Sequence, residues 1–369
     1  MKSTHVTLPS APPLEEYIQE IYDIWNTRVF TNSGSKVLKL EEKLCDYLGV
    51  DHISLFSNGH AALEAALSTL DHKGEIITTP FTFASTMLAI LRNNHQPVFC
   101  DINASDYTIN PSLIEDLITE KTCAIVPVHI YGNMCNTEKI EAIGRKYDIP
   151  VIYDGAQAFG VTKNGVGVGN YGDMCVFSFH ATKVFHTVEG GAVAYKNPAL
   201  KKYFASHRNF GLIGSESVCI GANLKMSELH AAMGLCNLRH VDKYIKNRAI
   251  CVAKYNDLLA NTPGLHILQI PDGIKHNYSY YPIRIAPDEY GFSRDDVAAR
   301  LTRHGICTCK YFSPLVSQFS IYNHPLPVGN TPMAELIANQ ILILPLYADL
   351  QTETIEYICS KLPHIKNED

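Results

Sequence analysis

Short apolar segments alternate with amphipathic segments from residue 36 to about residue 195, and this alternation restricts the possible folds more than any other feature of the sequence. Several apolar segments are near-continuous runs of valine and isoleucine, which is typical of parallel strands covered by helices on both faces. The pattern predicts a doubly wound α/β domain with a mostly parallel central sheet. Strands are predicted at 53–56, 75–79, 97–101, 124–130, 150–153, 174–179 and 191–195, and helices at 37–48, 60–70, 84–92, 111–118 and 137–147.

The chain changes character after this region. Residues 223–259 carry a long apolar period of 3.6 residues without proline, which predicts a helix leading out of the first domain. Residues 265–369 return to short strands and to amphipathic helices at 293–303 and 352–362. We therefore predict a large domain over residues 1–238 and a smaller C-terminal α+β domain over residues 239–369.

Composition excludes several classes of function. Charged residues make up 18% of the chain and the net charge is −6, so nothing favours binding to nucleic acid. The first residues lack the apolar core of a signal peptide, and no apolar run is long enough to span a membrane, so we expect a cytoplasmic protein. The eleven cysteines are scattered without zinc-type spacing, which predicts reduced thiols and no metal site.

The segment "GVGVGNYGD" at 165–173 matches the glycine spacing of a dinucleotide fingerprint through Gly167, Gly169 and Gly172. That motif requires a strand before it and a helix after it, whereas here a predicted strand follows. A tight loop is therefore the preferred interpretation, and a nicotinamide dehydrogenase is the less favoured one.

Three other features can be combined into one site. The turn "SNGH" at 57–60 ends a strand and begins a helix, so the backbone N–H groups of Gly59, His60 and Ala61 could bind a phosphate, or Ser57 or Asn58 could simply cap the helix. Asp154 ends an apolar strand, and a buried carboxylate needs a cationic partner.

Lys183 follows the apolar strand "MCVFSF" after a short turn, where it is either an ordinary exposed lysine or a desolvated nucleophile. Each of the three features has an ordinary structural explanation when taken alone. Together they match the needs of pyridoxal 5'-phosphate, which are a Schiff-base lysine, a carboxylate for the pyridine nitrogen and a phosphate cradle.

Nine segments in the same order resemble the DegT-type sugar-nucleotide aminotransferases, which are pyridoxal phosphate enzymes of fold type I. These segments are "SNGHAALEAAL", "TTPFTFASTMLAI", "PVFCDI", "AIVPVHIYGN", "VIYDGAQAFG", "FSFHATKVFHTVEGGAV", "GANLKMSELHAAMG", "KYFSPL" and "LILPLY". The resemblance implies pyridoxal 5'-phosphate as cofactor and a large domain with a mostly parallel sheet followed by a smaller C-terminal α+β domain.

The resemblance also implies roles for individual residues. Lys183 forms the internal aldimine, and Asp154 pairs with the pyridine nitrogen. The remaining cofactor contacts are Gln157 at the ring oxygen, Ser178 with Gly59 and His60 at the phosphate, Phe83 stacked on the ring, and Asn223 donated to the phosphate of a neighbouring subunit. A homodimer with shared active sites follows from the last of these roles.

The sequence departs from the family pattern at two positions. His60 stands where the family usually has threonine or serine, so a side-chain hydroxyl is lost from the phosphate turn. Val316 follows "KYFSPL" where histidine is common, which argues against a substrate role there. Lys183 itself excludes the sugar 3-dehydratase branch of the family, because those enzymes have histidine at the aldimine position.

The resemblance implies a ping-pong transfer of the amino group of L-glutamate to C4 of dTDP-4-keto-6-deoxy-D-glucose, which yields dTDP-4-amino-4,6-dideoxy-D-glucose for a surface polysaccharide such as O-antigen. The alternatives are a C4 enzyme giving the galacto product, a 3-aminotransferase, and, from a different class, a non-catalytic cofactor-binding regulator. Cations for the diphosphate of the substrate are expected among Lys36, Arg208, Lys225 and Lys310.

Overall fold

The computed structural model describes residues 3–321 and 330–364. Its helices are α1 (Leu14–Thr27), α2 (Ser35–Leu48), α3 (Gly59–Leu67), α4 (Ala84–Arg92), α5 (Thr137–Tyr147), α6 (Leu200–His207), α7 (Glu228–Leu259), α8 (Pro287–Tyr290), α9 (Arg294–Arg303), α10 (Pro332–Gln340) and α11 (Thr352–His364). Its strands are β1 (Ile53–Phe56), β2 (Glu75–Thr78), β3 (Gln96–Phe99), β4 (Thr122–Ile125), β5 (Ile152–Asp154), β6 (Thr162–Lys163), β7 (Val166–Gly167), β8 (Met174–Ser178), β9 (Gly191–Tyr195), β10 (Leu212–Ile213), β11 (Glu216–Ser217), β12 (Leu265–Ile267), β13 (Ile274–Lys275), β14 (Tyr281–Ile285) and β15 (Ile341–Leu344).

The central sheet has the strand order β1-β9-β8-β5-β4-β2-β3. Backbone bridges between Ile125 and Val151 and between Val128 and Asp154 connect β4 with β5. Only β9 runs antiparallel to its neighbours, while the pairs β5–β8, β4–β2 and β2–β3 are parallel. The prediction of a mostly parallel central sheet is confirmed.

Helices cover both faces of this sheet, as the continuous apolar runs predicted. In β8, Cys175 and Phe177 contribute to the core beneath α2 and α5, whereas Met174 and Val176 contribute to the core beneath α3, α4 and α6. Because successive side chains of a strand point to opposite faces, every residue of such a strand must be apolar.

The shared direction of β1, β2, β5 and β8 determines where chemistry can occur. All four strands end at the same edge of the sheet, so the turns that follow them lie side by side. With the exception of Asn223, the residues predicted to bind the cofactor lie at these strand ends or in the segments that follow them. Ligand sites of open α/β sheets lie at this edge because the strands end there and leave a crevice.

The long helix α7 connects two hydrophobic cores. Its residues up to Ile245 pack in the core of the central sheet, and its residues from Cys251 onward pack in a second core with β12, β14, β15, α9 and α11. The predicted division after residue 238 falls inside this helix and stays a prediction. Thr4, which it assigns to the large domain, pairs with Ile306 of the C-terminal half.

Several local predictions were wrong. Residues 111–118 form two 3₁₀ turns, Pro111–Leu113 and Glu115–Leu117, in place of one α-helix, because so short a segment is marginal as an α-helix and 3₁₀ turns are common in short connecting pieces. The strand predicted at 124–130 ends at Ile125 before Pro127, which has no N–H to donate to a ladder. The sequence also gave no prediction of α1, α10 or the hairpin of β10 and β11.

No helix in residues 3–321 and 330–364 combines the length and the apolar composition that a membrane span requires.

Candidate active site

Lys183 is the residue on which the candidate site depends. The backbone before it is fixed in the core by Phe177 and Phe179, and the Lys183 N–H closes a turn by donating to the carbonyl of His180 at 2.9 Å. The ammonium nitrogen lies 5.9 Å from the ring centre of Tyr280. The side chain keeps some accessible surface, but the surrounding protein withholds most of the water that would solvate a charge.

Burial lowers the pKa of the Lys183 amine to about 8, and the negative charge of Asp154 opposes this shift. The neutral amine is the nucleophilic form, and it becomes abundant only when the pKa approaches the working pH. The structure therefore supports the interpretation of Lys183 as a desolvated nucleophile rather than a solvated turn residue.

Asp154 lies at the end of β5 and is buried, with 6% of its surface exposed. Its carboxylate accepts hydrogen bonds from the hydroxyl of Thr86 at 2.8 Å and from the N–H of Ala156 at 3.0 Å. Burial raises the pKa of Asp154, although these two hydrogen bonds and the charge of Lys183 act in the opposite direction. Within the described ranges no cationic side chain forms an ion pair with it, so the carboxylate suits a ligand that brings its own positive charge.

The predicted phosphate turn connects β1 to α3, and one of its three expected N–H donors is already used. The side chain of Asn58 caps α3 by accepting from the N–H of Ala61 at 2.8 Å, so Ala61 is not available to a ligand. The N–H groups of Gly59 and His60 have no acceptor within the part of the chain that the structure describes. A Cβ atom at Gly59 would lie 2.7 Å from the Cβ atom of Ser178, so glycine is needed for the two segments to approach this closely.

Phe83 and Gln157 complete the group of residues at this edge of the sheet. Phe83 precedes α4 and exposes 60% of its surface, with its ring centre 6.2 Å from that of Phe312. Gln157 is buried, and its Oε1 atom accepts from the N–H of Tyr131 at 2.6 Å, which leaves its amide nitrogen as the group that can donate to a ligand.

Asn223 lies in a segment that adjoins the 57–60 turn of its own chain, because the N–H of Ser57 donates to the carbonyl of the next residue, Leu224, at 2.7 Å. Asn223 is exposed and pairs through its backbone with Asn209 at the base of the β10–β11 hairpin. Its proposed role at the phosphate of a second subunit therefore stays a prediction.

Two of the cations expected to bind a diphosphate are committed elsewhere. Arg208 is buried, pairs with Glu41 at 2.9 Å and donates to the carbonyl of Leu55. Lys36 is buried between Glu20 at 3.1 Å and Asp23 at 3.0 Å. These ion pairs argue against a role of either cation at the diphosphate, because each charge already has a carboxylate partner.

The other two expected cations are closer to solvent. Lys225 donates to Asn209 at 2.7 Å, and Lys310 pairs with Asp295 at 2.8 Å with 42% of its side chain exposed. Val316, the second departure from the family pattern, is buried against Met87 and Phe99, so it belongs to the core rather than to a substrate site.

Sequence reasoning missed residues that hold the site in place. Thr86 donates to Asp154, Tyr280 faces Lys183, and Ser279 donates to the backbone carbonyl of Gln157 at 2.6 Å. Thr86 lies inside the segment "TTPFTFASTMLAI", and its hydroxyl group could have indicated a hydrogen bond to a polar site residue. Tyr280 and Ser279 lie far along the chain, and nothing in their local pattern indicates a contact with the catalytic segment.

The glycine-rich segment at 165–173 is a surface loop, as preferred above. It forms β7 and a 3₁₀ turn at Val168–Asn170, and a Cβ atom at Gly167 would lie 2.3 Å from the carbonyl oxygen of Leu48. Gly167, Gly169 and Gly172 therefore serve close packing. Among the described residues, no group of three or more histidine, cysteine, aspartate or glutamate side chains could hold a metal ion.

The arrangement fits pyridoxal 5'-phosphate. A buried carboxylate without a cation, a buried amine of lowered pKa and two free N–H groups at a helix N-terminus correspond to the pyridine nitrogen, the aldehyde and the phosphate of that molecule.

Comparisons with known proteins agree with this chemistry. Residues 14–363 match the model of the DegT/DnrJ/EryC1/StrS aminotransferase family. A dTDP-4-amino-4,6-dideoxy-D-glucose transaminase of Shigella dysenteriae is 42% identical over 367 residues, which cover 99% of this chain and 100% of that protein.

Two solved structures are also similar. The structure of DesI with its TDP-sugar product has a TM-score of 0.93 at 29% identity and covers 98% of this chain and 93% of DesI. A putative sugar aminotransferase of Streptococcus pneumoniae in its PLP form has a TM-score of 0.88 at 26% identity, with 98% and 99% of the two chains covered. The chain belongs to the DegT/DnrJ/EryC1/StrS aminotransferase family and is a pyridoxal-phosphate-dependent aminotransferase of fold type I.

Proposed function

We propose that this enzyme transfers the amino group of L-glutamate to C4 of dTDP-4-keto-6-deoxy-D-glucose and forms dTDP-4-amino-4,6-dideoxy-D-glucose. The observation that carries the proposal is the 42% identity to the Shigella transaminase along almost the whole of both chains. In the balanced reaction glutamate becomes 2-oxoglutarate and the keto sugar becomes the amino sugar, so no further oxidant or reductant is needed.

The bound cofactor supplies an electron sink for the carbanion that forms when a proton leaves the substrate carbon. Lys183 would hold the cofactor in the resting enzyme, and its free amine would serve as the base and acid that moves a proton at the substrate carbon. Its lowered pKa suits this exchange, because a group of pKa about 8 both accepts and donates a proton near neutral pH.

Asp154 holds the pyridine nitrogen in its protonated state, and Thr86 holds Asp154 in place. Ser178 and the N–H groups of Gly59 and His60 bind the phosphate. Phe83 covers one face of the ring. Gln157 donates to the ring oxygen through the amide nitrogen that its contact with Tyr131 leaves free.

The remaining alternatives differ in chemistry that the product reveals. A C4 enzyme with the opposite stereochemistry yields the galacto product, and a 3-aminotransferase places nitrogen on the neighbouring carbon. A non-catalytic cofactor-binding regulator would bind pyridoxal phosphate through the same amine and carboxylate but would form no 2-oxoglutarate from glutamate.

We also propose a homodimer in which each subunit completes the other's site. The hairpin segment 210–220 exposes a series of large apolar side chains, with 51% of Phe210, 58% of Ile213 and 98% of Ile220 accessible in a single chain. An apolar surface of this kind is typical of a protein interface, and Asn223 lies at its base.

The eleven unpaired cysteines support placement in the reducing cytoplasm, and the net charge of −6 argues against nucleic acid as a partner.

Incubation of the enzyme with dTDP-4-keto-6-deoxy-D-glucose and L-glutamate should yield the C4 amine with gluco configuration, identified by NMR of the isolated product. Lys183→Ala should abolish turnover with the circular dichroism of the fold unchanged, whereas Lys202→Ala, an exposed lysine of α6, should retain full activity. Nitrogen at C3 or the galacto product would overturn the substrate assignment, and turnover by Lys183→Ala would overturn the role of the lysine.

Asp154→Asn should lower kcat on the order of 10²-fold, because the substitution removes the charge that keeps the pyridine nitrogen protonated at the transition state. The measurement is the steady-state rate at saturating substrates. Asp46→Asn, an exposed aspartate paired with Lys43, is the matched control and should leave kcat unchanged. An unaltered kcat in Asp154→Asn would contradict this role.

The rate at which the apoprotein binds pyridoxal phosphate should rise with pH and level off above a midpoint of about 8, since only the neutral Lys183 amine reacts with the aldehyde. Stopped-flow absorbance across this range gives the midpoint. Asp154→Asn should move it to lower pH, because the negative charge of Asp154 raises the pKa of Lys183. A midpoint near 10, as for an exposed lysine, would contradict the desolvated site.

Mixing two impaired variants should test the shared site. Lys183→Ala and Asn223→Ala dimers, unfolded together and refolded, should form hybrids in which one site has both Lys183 and Asn223, so activity should exceed the sum of the separate variants. No gain would mean that Asn223 serves its own subunit. A monomeric wild-type enzyme in sedimentation equilibrium would refute the dimer itself.

A further inference from the structure

The first turn of α4 contacts three separate parts of the candidate site. Phe83 is the residue immediately before the helix, and Thr86 donates to the carboxylate of Asp154. Between them, the hydroxyl oxygen of Ser85 lies 2.9 Å from Nδ1 of His60. The residue proposed to stack on the cofactor ring, the residue that holds the Asp154 carboxylate and the residue that contacts the phosphate turn therefore all lie at the first turn of α4.

The imidazole of His60 has a defined orientation. Its Nε2 atom lies 3.4 Å from Oε1 of Glu64, one turn further along α3. Because a carboxylate only accepts, Nε2 carries a hydrogen, and in the neutral ring Nδ1 then accepts the hydroxyl hydrogen of Ser85. The side chain is thus held by α3 on one side and by α4 on the other.

The C-terminal end of α4 is also connected to the middle of α3. Arg92 pairs with the Glu64 carboxylate, and the Asn93 amide donates to the Glu64 carbonyl at 3.2 Å. Burial raises the pKa of Glu64, but hydrogen bonds from His60 and Arg92 outweigh it and hold the pKa below its ordinary value. Glu64 therefore stays ionised and keeps His60 aligned.

We propose that His60 is a positioning residue. Through its contact with Ser85 it connects the phosphate turn to Phe83, the residue proposed to stack on the cofactor ring. Its backbone N–H faces the phosphate, while its side chain fixes the first turn of α4, and with it Phe83 and Thr86. The threonine or serine that the family usually has at this position would offer a hydroxyl to the phosphate itself. In this chain the His60 side chain instead contacts both α3 and α4 and so links the two helices.

The inference rests on the proposed placement of the cofactor, and it can be tested by two substitutions of His60. Asparagine places a polar atom where Nδ1 lies and can keep the bond to Ser85, whereas glutamine reaches the position of Nε2 and keeps only the contact with Glu64. Ser85→Ala removes the same bond from the other side. Ser68→Ala, at the opposite end of α3, is the control because it also removes a hydroxyl that forms hydrogen bonds.

The dissociation constant of pyridoxal phosphate should rise roughly three- to tenfold in His60→Gln and Ser85→Ala, which is the effect of one lost hydrogen bond. It should change less than about twofold in His60→Asn and Ser68→Ala. The circular dichroism of the bound cofactor should weaken in the first pair only, because the ring is then less firmly held.

A double-mutant cycle tests the coupling itself. Phe83→Leu should weaken cofactor binding less in the Ser85→Ala background than in the wild type, because Phe83 is already displaced there. Additive effects, or equal behaviour of His60→Asn and His60→Gln, would overturn the inference. Failure of the wild type to bind pyridoxal phosphate would instead overturn the proposed function, so the two failures can be told apart.

Discussion

Two ionisable side chains, Lys183 and Asp154, are buried at one edge of the central sheet without forming an ion pair. Burial alone shifts their pKa values toward the neutral forms, downward for the lysine and upward for the aspartate. Such a pair destabilises the fold unless a ligand supplies what each lacks, and pyridoxal phosphate offers both an aldehyde for the amine and a cationic nitrogen for the carboxylate. Much of the surrounding structure serves to keep the two groups in place despite this cost.

Apolar packing and a few hydrogen bonds from neutral groups keep Lys183 and Asp154 in place. Strand β8 fixes the approach to Lys183 through buried phenylalanines on both sides of Ser178, and Thr86 orients Asp154 through one hydroxyl. Other buried charges are satisfied in more than one way: Arg208 pairs with Glu41 and Lys36 with Glu20, whereas Arg248 has no carboxylate partner among the described residues and donates to backbone carbonyls instead. Lys183 and Asp154 differ from the two ion pairs, because among the described residues neither has an oppositely charged side chain within ion-pair distance.

Local pattern was sufficient for much of the fold. The apolar runs of β1 and β9 and the amphipathic repeats of α4 and α5 agree with the predicted bounds, because each signal lies within a short window of sequence. The errors concern segments whose conformation is decided by distant contacts. The segment at 111–117 forms 3₁₀ turns although Ile114 and Leu117 contact the main core, and the strands β10 and β11 are exposed in the single chain.

The order of its motifs by itself determined the family and the cofactor and singled out Lys183 as the proposed catalytic lysine, because covalent and acid–base chemistry requires particular residue types, and the sequence states the residue types directly. Only the tertiary structure decided which polar residues have free capacity for a ligand. It showed that Ala61, Arg208 and Lys36 already have partners, that Thr86 and Tyr280 belong to the site, and that His60 faces Ser85. The physical reason is that burial and hydrogen-bond pairing depend on contacts between segments far apart in sequence, and no local pattern records those contacts.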